Sequence, residues 1–267
     1  MTSARGWSDP SSDRGLLLGD GLFETLLVRL GRPVRMDAHL ARMRRSGDAL
    51  GVPVPPALEA FVDEALPALW TREGRPARAA LRIVVTRGPW DGLEPPEPSA
   101  PGVHVAVRAL PDVPPPPATA VTIEAPRIDP QHPLSGHKVL SWMAFVEARR
   151  RARAAGADLA LLRTIAGDVA EADCGNLFVV LDGVVVTPPL DTGVLPGVVR
   201  ELVLRQLRAS DRPVAERRIA PEDLARISGA FLTSSLAGVR PLSQVDGRPL
   251  AVPDPGTGWL ADCELDG

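Results

Sequence analysis

Residues 176–188, NLFVVLDGVVVTP, constrain the fold most. Two apolar, β-branched runs flank Asp182-Gly183. A two-residue Asp-Gly connection suits the type I′ turn whose twist matches that of paired antiparallel strands. A β-hairpin is therefore expected here, and its neighbours must build a sheet around it. Upstream, DLALLRT and DVAEA have strand composition. Downstream, residues 193–202, GVLPGVVREL, turn through Gly and Pro into an amphipathic helix that continues as VLRQLRA. VAERRI reads as a strand, APEDLARI as a short helix with Pro221 near its start, and GAFLTSSL and VRPLSQV-DG-RPL as closing strands.

The N-terminal part has a different rhythm. GLFETLLVR has strand composition, LGRP reads as a turn, and VRM completes a hairpin. Asp37 is placed to N-cap a helix over AHLARMRRSGDAL, which Gly51 can end. PPALEAFVDEALPALWTREG reads as a second helix, kinked or ended near Pro67. RAALRIVVTRG and VHVAVRAL read as strands, separated by the Pro-rich loop PWDGLEPPEPSAPG. PDVPPPPA, with four consecutive prolines, favours a stiff extended linker. The expected organisation is a small N-terminal α+β domain over 1–110, a linker over 111–118 and a C-terminal domain over 119–267. Strands and helices fall in separate runs, which argues for an α+β class over repeated βαβ units. No internal repeat is evident.

Composition excludes several functions. The chain of 267 residues carries 30 basic and 33 acidic residues, intermixed, for a net charge of −3, which argues against nucleic acid as the main partner. No apolar run is long enough to span a bilayer. The N-terminal stretch MTSARGWSDPSSDRG lacks the apolar core of a signal peptide and is expected to be a loose arm. Two cysteines, Cys174 and Cys263, make no disulfide framework, so a cytoplasmic setting is expected. The chain has no tyrosine, which excludes any mechanism that needs a phenol. EARRRARA is expected to be a solvated helix face.

Three features point to one chemistry. Lys138 opens an apolar helical run expected to continue to about Ala155, with Gly156 as its stop. Glu171 precedes the hairpin, and the Gly197 helix start follows it. An amine that can form a Schiff base, a carboxylate to keep a pyridine nitrogen protonated, and a helix N-terminus to take a phosphate are what pyridoxal 5′-phosphate requires.

At these residues, and over most of the chain from RGLLLGDGLFETLLVRLGRPVRMDAHLARMRRS to FLTSSLAGVRPLSQVDGRPL, the sequence resembles the class IV, or fold type IV, pyridoxal phosphate enzymes. They include branched-chain and D-amino acid aminotransferases, R-selective amine transaminases and 4-amino-4-deoxychorismate lyase. The resemblance implies an α+β fold of two domains with the cofactor between them, and a homodimer. It makes Lys138 the catalytic and cofactor-bearing lysine. VAEADCGNLF matches the family's Glu, short spacer and Asn-Leu-Phe, which favours Glu171 over Asp168 and Asp173 as the ring-nitrogen partner, with Asn176 fixing the turn. Backbone N–H groups of Gly197, Val198 and Val199 would meet the phosphate; the family often has a threonine where Val199 stands, so one hydroxyl donor is missing. In Thr233–Ser235, matching a second phosphate loop, Ser234 and Ser235 are the expected donors. Arg42, in HLARMRRS, matches the family's phosphate-clamping arginine.

On the substrate side the candidates are Phe23, standing where some aminotransferases carry a tyrosine, Thr25, Arg87 and Trp142, with Met143 beside it. Arg87 would meet a substrate carboxylate, although the following loop offers Asp91 where related sequences have a second arginine. GDG at Gly19 lacks a dinucleotide fingerprint, and the four histidines show no metal-ligand spacing, so no metal is expected. GVLPG, SSLAGVRPL and GDGLFETLLV look more like the lyase, which would convert 4-amino-4-deoxychorismate to 4-aminobenzoate and pyruvate. The alternative is a transaminase for D-amino acids, R-amines or branched-chain amino acids.

Overall fold

A computed structural model describes residues 2–5, 10–89, 92–94 and 100–252. The chain forms two compact units: Met1–Pro114 with His137–Ser141, and Pro115–Gly136 with the chain onward from Trp142.

The first unit is built on an antiparallel sheet in the order β1-β5-β4-β2-β3, where β1 is Thr2–Arg5, β2 Gly21–Arg29, β3 Arg32–Pro33, β4 Arg78–Thr86 and β5 Gly102–Ala109. β2 and β4 pair from Gly21 opposite Thr86 to Arg29 opposite Arg78. A strand sends alternate side chains to opposite faces. Leu22, Leu26 and Val28 of β2, Leu81, Ile83 and Val85 of β4 and Val103, Val105 and Val107 of β5 therefore share one buried face. The helices α2 (Met36–Leu50) and α3 (Leu58–Arg72) cover it with Leu40, Met43, Leu58, Val62, Leu66 and Leu69. Burying each such side chain stabilises by about 1.5–3 kcal/mol relative to exposure. A short helix, α1 (Arg14–Leu18), is N-capped by Asp13.

Three local expectations are corrected. Residues 2–5 are not a loose arm: they add an edge strand to β5. The residue before α2 is Arg35, in the left-handed region (φ 55°), and Asp37 lies inside the first turn, where its charge meets the helix dipole. Pro67 does not end α3, which runs to Arg72. Asp91 and Cys263 lie outside the described residues.

In the second unit the strands are β6 (Ala118–Thr122), β7 (Leu159–Arg163), β8 (Val169–Ala172), β9 (Gly175–Leu181), β10 (Val184–Thr187), β11 (Val214–Glu216), β12 (Gly229–Ser234), β13 (Gly238–Val245) and β14 (Arg248–Pro249). Their order is β11-β10-β9-β12-β13-β6-β7-β8, and β8 pairs back onto β9, which closes a barrel-like ring. Leu177, Val179 and Leu232 fill the interior with Leu159, Leu161 and Leu242. The opposite parity, Phe178 and Phe231, stacks ring on ring at 4.8 Å and packs under Val199, Val203 and Leu207 of α5 (Val198–Ala209). Both faces of the hairpin strands are buried, which explains why their apolar runs are continuous. Helix α4 (Met143–Ala154) packs through Ala148 and Ala152. Arg150 and Arg151 of the basic run are largely exposed and pair with Glu147.

The β9–β10 turn has Asp182 at φ 51° and Gly183 at φ 81°, the positive pair a type I′ turn demands. No atom lies within 4 Å of a Cβ built on Gly183. Gly183→Ala is expected to destabilise by about 1–2 kcal/mol through backbone strain alone, read as a lower urea midpoint with an unchanged denaturant slope.

Candidate active site

Lys138 is not at a helix start. It lies in an extended segment laid along the edge of β2, while α4 begins at Met143. The Phe23 N–H donates to the Lys138 carbonyl at 2.9 Å, and the Leu140 N–H donates to the Gly21 carbonyl at 2.9 Å. These bonds set Val139 opposite Leu22, and Val139 enters the apolar core with it. Alternation then turns Lys138 to the other face beside Phe23, with Nζ 4.5 Å from the centre of the Phe23 ring. The Arg82 guanidinium carbon sits 3.9 Å from the same ring centre. Thr25, paired with Arg82, shares that face. Next to Lys138, His137 places Nδ1 2.9 Å from the Ser46 hydroxyl, and burial pushes its pKa down.

On the core side of the same strand, Arg42 is buried and meets Glu24 with two hydrogen bonds, Nε to Oε1 at 2.8 Å and Nη2 to Oε2 at 2.6 Å. His39 Nδ1 lies 2.7 Å from Glu24 Oε2. Arg44 and Arg45 are exposed, so among these three arginines only Arg42 turns inward. Burial pushes the Glu24 carboxyl up, but the hydrogen bond to His39 and the charge and hydrogen bonds of Arg42 outweigh it and hold the group at about 2. Arg87, expected to meet substrate, instead donates to Asp20 at 2.9 and 3.1 Å and to the Leu50 and Gly51 carbonyls. It acts as a strut between the end of α2 and the start of β2.

The second unit gathers Glu171, Asn176 and Thr233 in one cross-strand row, Glu171 opposite Asn176 and Asn176 opposite Thr233. All three are buried. Asn176 Nδ2 donates to Glu171 Oε2 at 3.2 Å and to the Leu195 carbonyl at 2.8 Å, and the Leu195 N–H donates to the same carboxylate oxygen at 3.2 Å. The loop before α5 is thereby tied to Glu171. Gly197 is the N-cap residue of α5, and no side chain caps that helix. A Cβ at Gly197 would collide with Asn176 Oδ1, so only glycine lets the helix end come this close. Its first N–H groups, on Val198 and Val199, have no intrahelical acceptors. The buried Thr233 hydroxyl has no hydrogen-bond partner among the described residues. Ser234 Oγ accepts from the Ala237 N–H at 3.3 Å, and Ser235 is in the turn that follows β12.

This donor set fits pyridoxal phosphate. Unsatisfied helix N–H groups with an orphaned buried hydroxyl suit an anion. A buried carboxylate suits a protonated pyridine nitrogen. Of the other substrate candidates, Trp142 stacks on Phe145 with ring centres 4.1 Å apart, and its neighbour Met143 is 75% exposed. Glu24, His39, Arg82 and Leu195 were not expected from sequence. Glu24 was the findable one: it shares the parity of Leu22 and Leu26, which marks a buried acid in need of a partner.

The profile of the family described as amino-transferase class IV matches residues 21–245. The chain belongs to that family. It is a pyridoxal-phosphate-dependent enzyme of fold type IV. It is 31% identical to a putative branched-chain-amino-acid aminotransferase of Methanocaldococcus jannaschii over 238 residues, covering 88% of this chain and 82% of that protein. It is 27% identical to a bifunctional aminodeoxychorismate lyase / D-amino acid transaminase of Mycobacterium tuberculosis, covering 90% and 86%. The crystal structure of 4-amino-4-deoxychorismate lyase from Pseudomonas aeruginosa matches at a TM-score of 0.84 and 28% identity, covering 100% of both chains.

Glu24→Gln is expected to destabilise the protein by about 3–5 kcal/mol, because Arg42 keeps a buried charge without its counter-charge. The folded pKa of Glu24 is depressed, so its contribution is present above the unfolded value of about 4.5 and is lost as pH falls toward about 2. Urea midpoints measured from pH 6 down to 2.5 should fall less steeply in the variant than in the parent.

Proposed function

We propose that this enzyme is a lyase that converts 4-amino-4-deoxychorismate to 4-aminobenzoate and pyruvate. What supports the reading is the end-to-end match to the Pseudomonas lyase, together with Phe23 where some aminotransferases carry a tyrosine. The reaction is an internal elimination that needs no second substrate. Bound pyridoxal phosphate supplies an electron sink to the carbon bearing the substrate nitrogen. Lys138 would hold the cofactor covalently and give way to the substrate amine. Its Nζ would then take the proton from that carbon; the neighbouring ring carbon–oxygen bond breaks, and the proton passes to the methylene carbon of the departing enolpyruvyl group, which leaves as pyruvate. Glu171, held in place by Asn176 and Leu195, would keep the pyridine nitrogen protonated, and Val198, Val199, Ser234, Ser235 and Arg42 would hold the phosphate. We further propose that the enzyme works in the cytoplasm as a homodimer, by analogy with its class.

A transaminase is the second reading, favoured by the 31% identity to the putative branched-chain enzyme. There Lys138 Nζ would return the proton to C4′ of the cofactor.

Lys138 is the single lysine in the chain, the other 29 basic residues being arginines. Borohydride reduction of the cofactor-loaded protein should therefore leave one modified lysine peptide. With 4-amino-4-deoxychorismate and no keto acid, pyruvate should accumulate, and Lys138→Ala should lower the rate at least about 100-fold. Failure to release pyruvate, with D-alanine, an R-amine or a branched-chain amino acid converted when 2-oxoglutarate is present, would assign the transaminase reading.

A further inference from the structure

Backbone pairing is not all that holds the lysine segment. The bonds from the Phe23 N–H to the Lys138 carbonyl and from the Leu140 N–H to the Gly21 carbonyl both lie on the C-terminal side of the lysine Cα. On the other side the chain arrives through Gly136, whose φ of 76° is a left-handed conformation that favours glycine. His137 follows as the first residue of His137–Ser141 to pack with the first unit. Its Nδ1 lies 2.9 Å from Ser46 Oγ of α2. Among the described residues neither the imidazole nor that hydroxyl has another hydrogen-bond partner.

Strand alternation gives this contact its meaning. His137 and Val139 share one parity and Lys138 has the other. Val139 enters the core that α2 covers, and His137 meets the same helix, so the imidazole lies on the face away from the lysine amine. It fixes how the strand is rolled without reaching the amine. Ser46 is buried in the interior of α2. An alanine there would suit the helix better and bury no hydroxyl, so what the serine contributes is the bond. A hydroxyl can donate to the ring nitrogen or accept from it, so the bond forms with either tautomer, and burial disfavours the charged ring. One turn earlier on α2, Arg42 is held by Glu24. A single helix thus carries both that arginine and the anchor of the lysine strand.

We propose that Ser46 and His137 are a positioning pair for Lys138: the bond between them clamps the N-terminal side of the lysine to α2 and so aims its amine. The inference rests on the reading that Lys138 carries the chemistry. Misplacing a reacting group by about 1 Å can cost about 100-fold in rate. A side-chain bond that fixes the roll of the strand therefore reaches the chemistry without touching it.

The single lysine makes the anchor visible without cofactor. Lysine-specific nitrogen-15 labelling gives one backbone amide resonance, that of Lys138. In the wild-type apoprotein its order parameter should lie in the rigid range, about 0.85, and in Ser46→Ala and His137→Gln it should fall toward about 0.6. His137→Asn should stay near the wild type, because the asparagine amide stands as many bonds from the backbone as Nδ1, whereas that of glutamine stands one bond farther. On addition of pyridoxal phosphate, the imine absorbance should form about two- to tenfold more slowly in Ser46→Ala and His137→Gln. The double variant should be no slower than either single one, and His137→Asn should keep the wild-type rate. The urea midpoint of Ser46→Ala should equal or exceed that of the wild type, since alanine is the better helix former, which separates lost aim from lost fold. An unchanged Lys138 amide or imine rate in Ser46→Ala and His137→Gln would overturn the inference. So would a His137→Asn protein that behaves like His137→Gln, or losses that add in the double variant. A loosened Lys138 amide in those variants, beside a wild type that takes up no pyridoxal phosphate, would refute the proposed function and leave the anchor standing.

Discussion

Everything in the first unit turns on one short strand pairing, Val139 opposite Leu22. Two backbone hydrogen bonds fix its register, and Gly21 makes it possible: a Cβ there would meet the Val85 carbonyl oxygen at 2.6 Å and a Leu140 methyl at 2.8 Å. Because side chains alternate along a strand, a slip of one residue would send Lys138 into the apolar core and Val139 onto the Phe23 face. Burying an unpaired ammonium among leucines costs far more than the two hydrogen bonds return, so the hydrophobic demand of Val139 and the polar demand of Lys138 select the same register. The position of the amine is thus decided by where its neighbour is buried.

The sheet also keeps two chemistries apart by a single step along β2. Glu24 points into the core and binds His39 and Arg42; Phe23, the preceding residue, points the other way and carries Arg82 and Lys138. On the core side, opposite charges neutralise one another, and the cost of burying Glu24 is offset by three short hydrogen bonds from α2. Across the sheet, Arg82 and Lys138 lie against the same Phe23 ring. Glu24 holds the one inward arginine of α2 rigidly, since the planar guanidinium presents its donors as a preformed fork that matches the carboxylate.

Much of this was legible in the residues. The Asp182-Gly183 hairpin, the amphipathic α5 beginning at Gly197 and the α+β class follow from local turn chemistry and periodicity, which depend on near neighbours only. Glu171 and Asn176 could be singled out because the motif around them is contiguous. What escaped was non-local. An apolar run after Lys138 looks helical until the edge of β2, more than a hundred residues earlier, claims it as a strand. Arg87 looks like a free loop arginine until the Leu50 and Gly51 carbonyls and Asp20 take its donors. Arg82 sits in a strand whose alternation predicts an outward cation but cannot say that an aromatic ring and the only lysine wait beside it.

That lysine is alone of its kind gives the arrangement its logic. An arginine cannot lose its proton in a protein, so it serves for ion pairs, struts and fixed fields but not as a base. Twenty-nine of the thirty basic side chains are of this permanent type, and they bind α2 to β2, brace the Asp20 turn and decorate the exposed face of α4. The remaining one is placed on an aromatic ring already occupied by a fixed charge. The register that buries Val139 against Leu22 is what sets this lysine on the Phe23 ring beside Arg82.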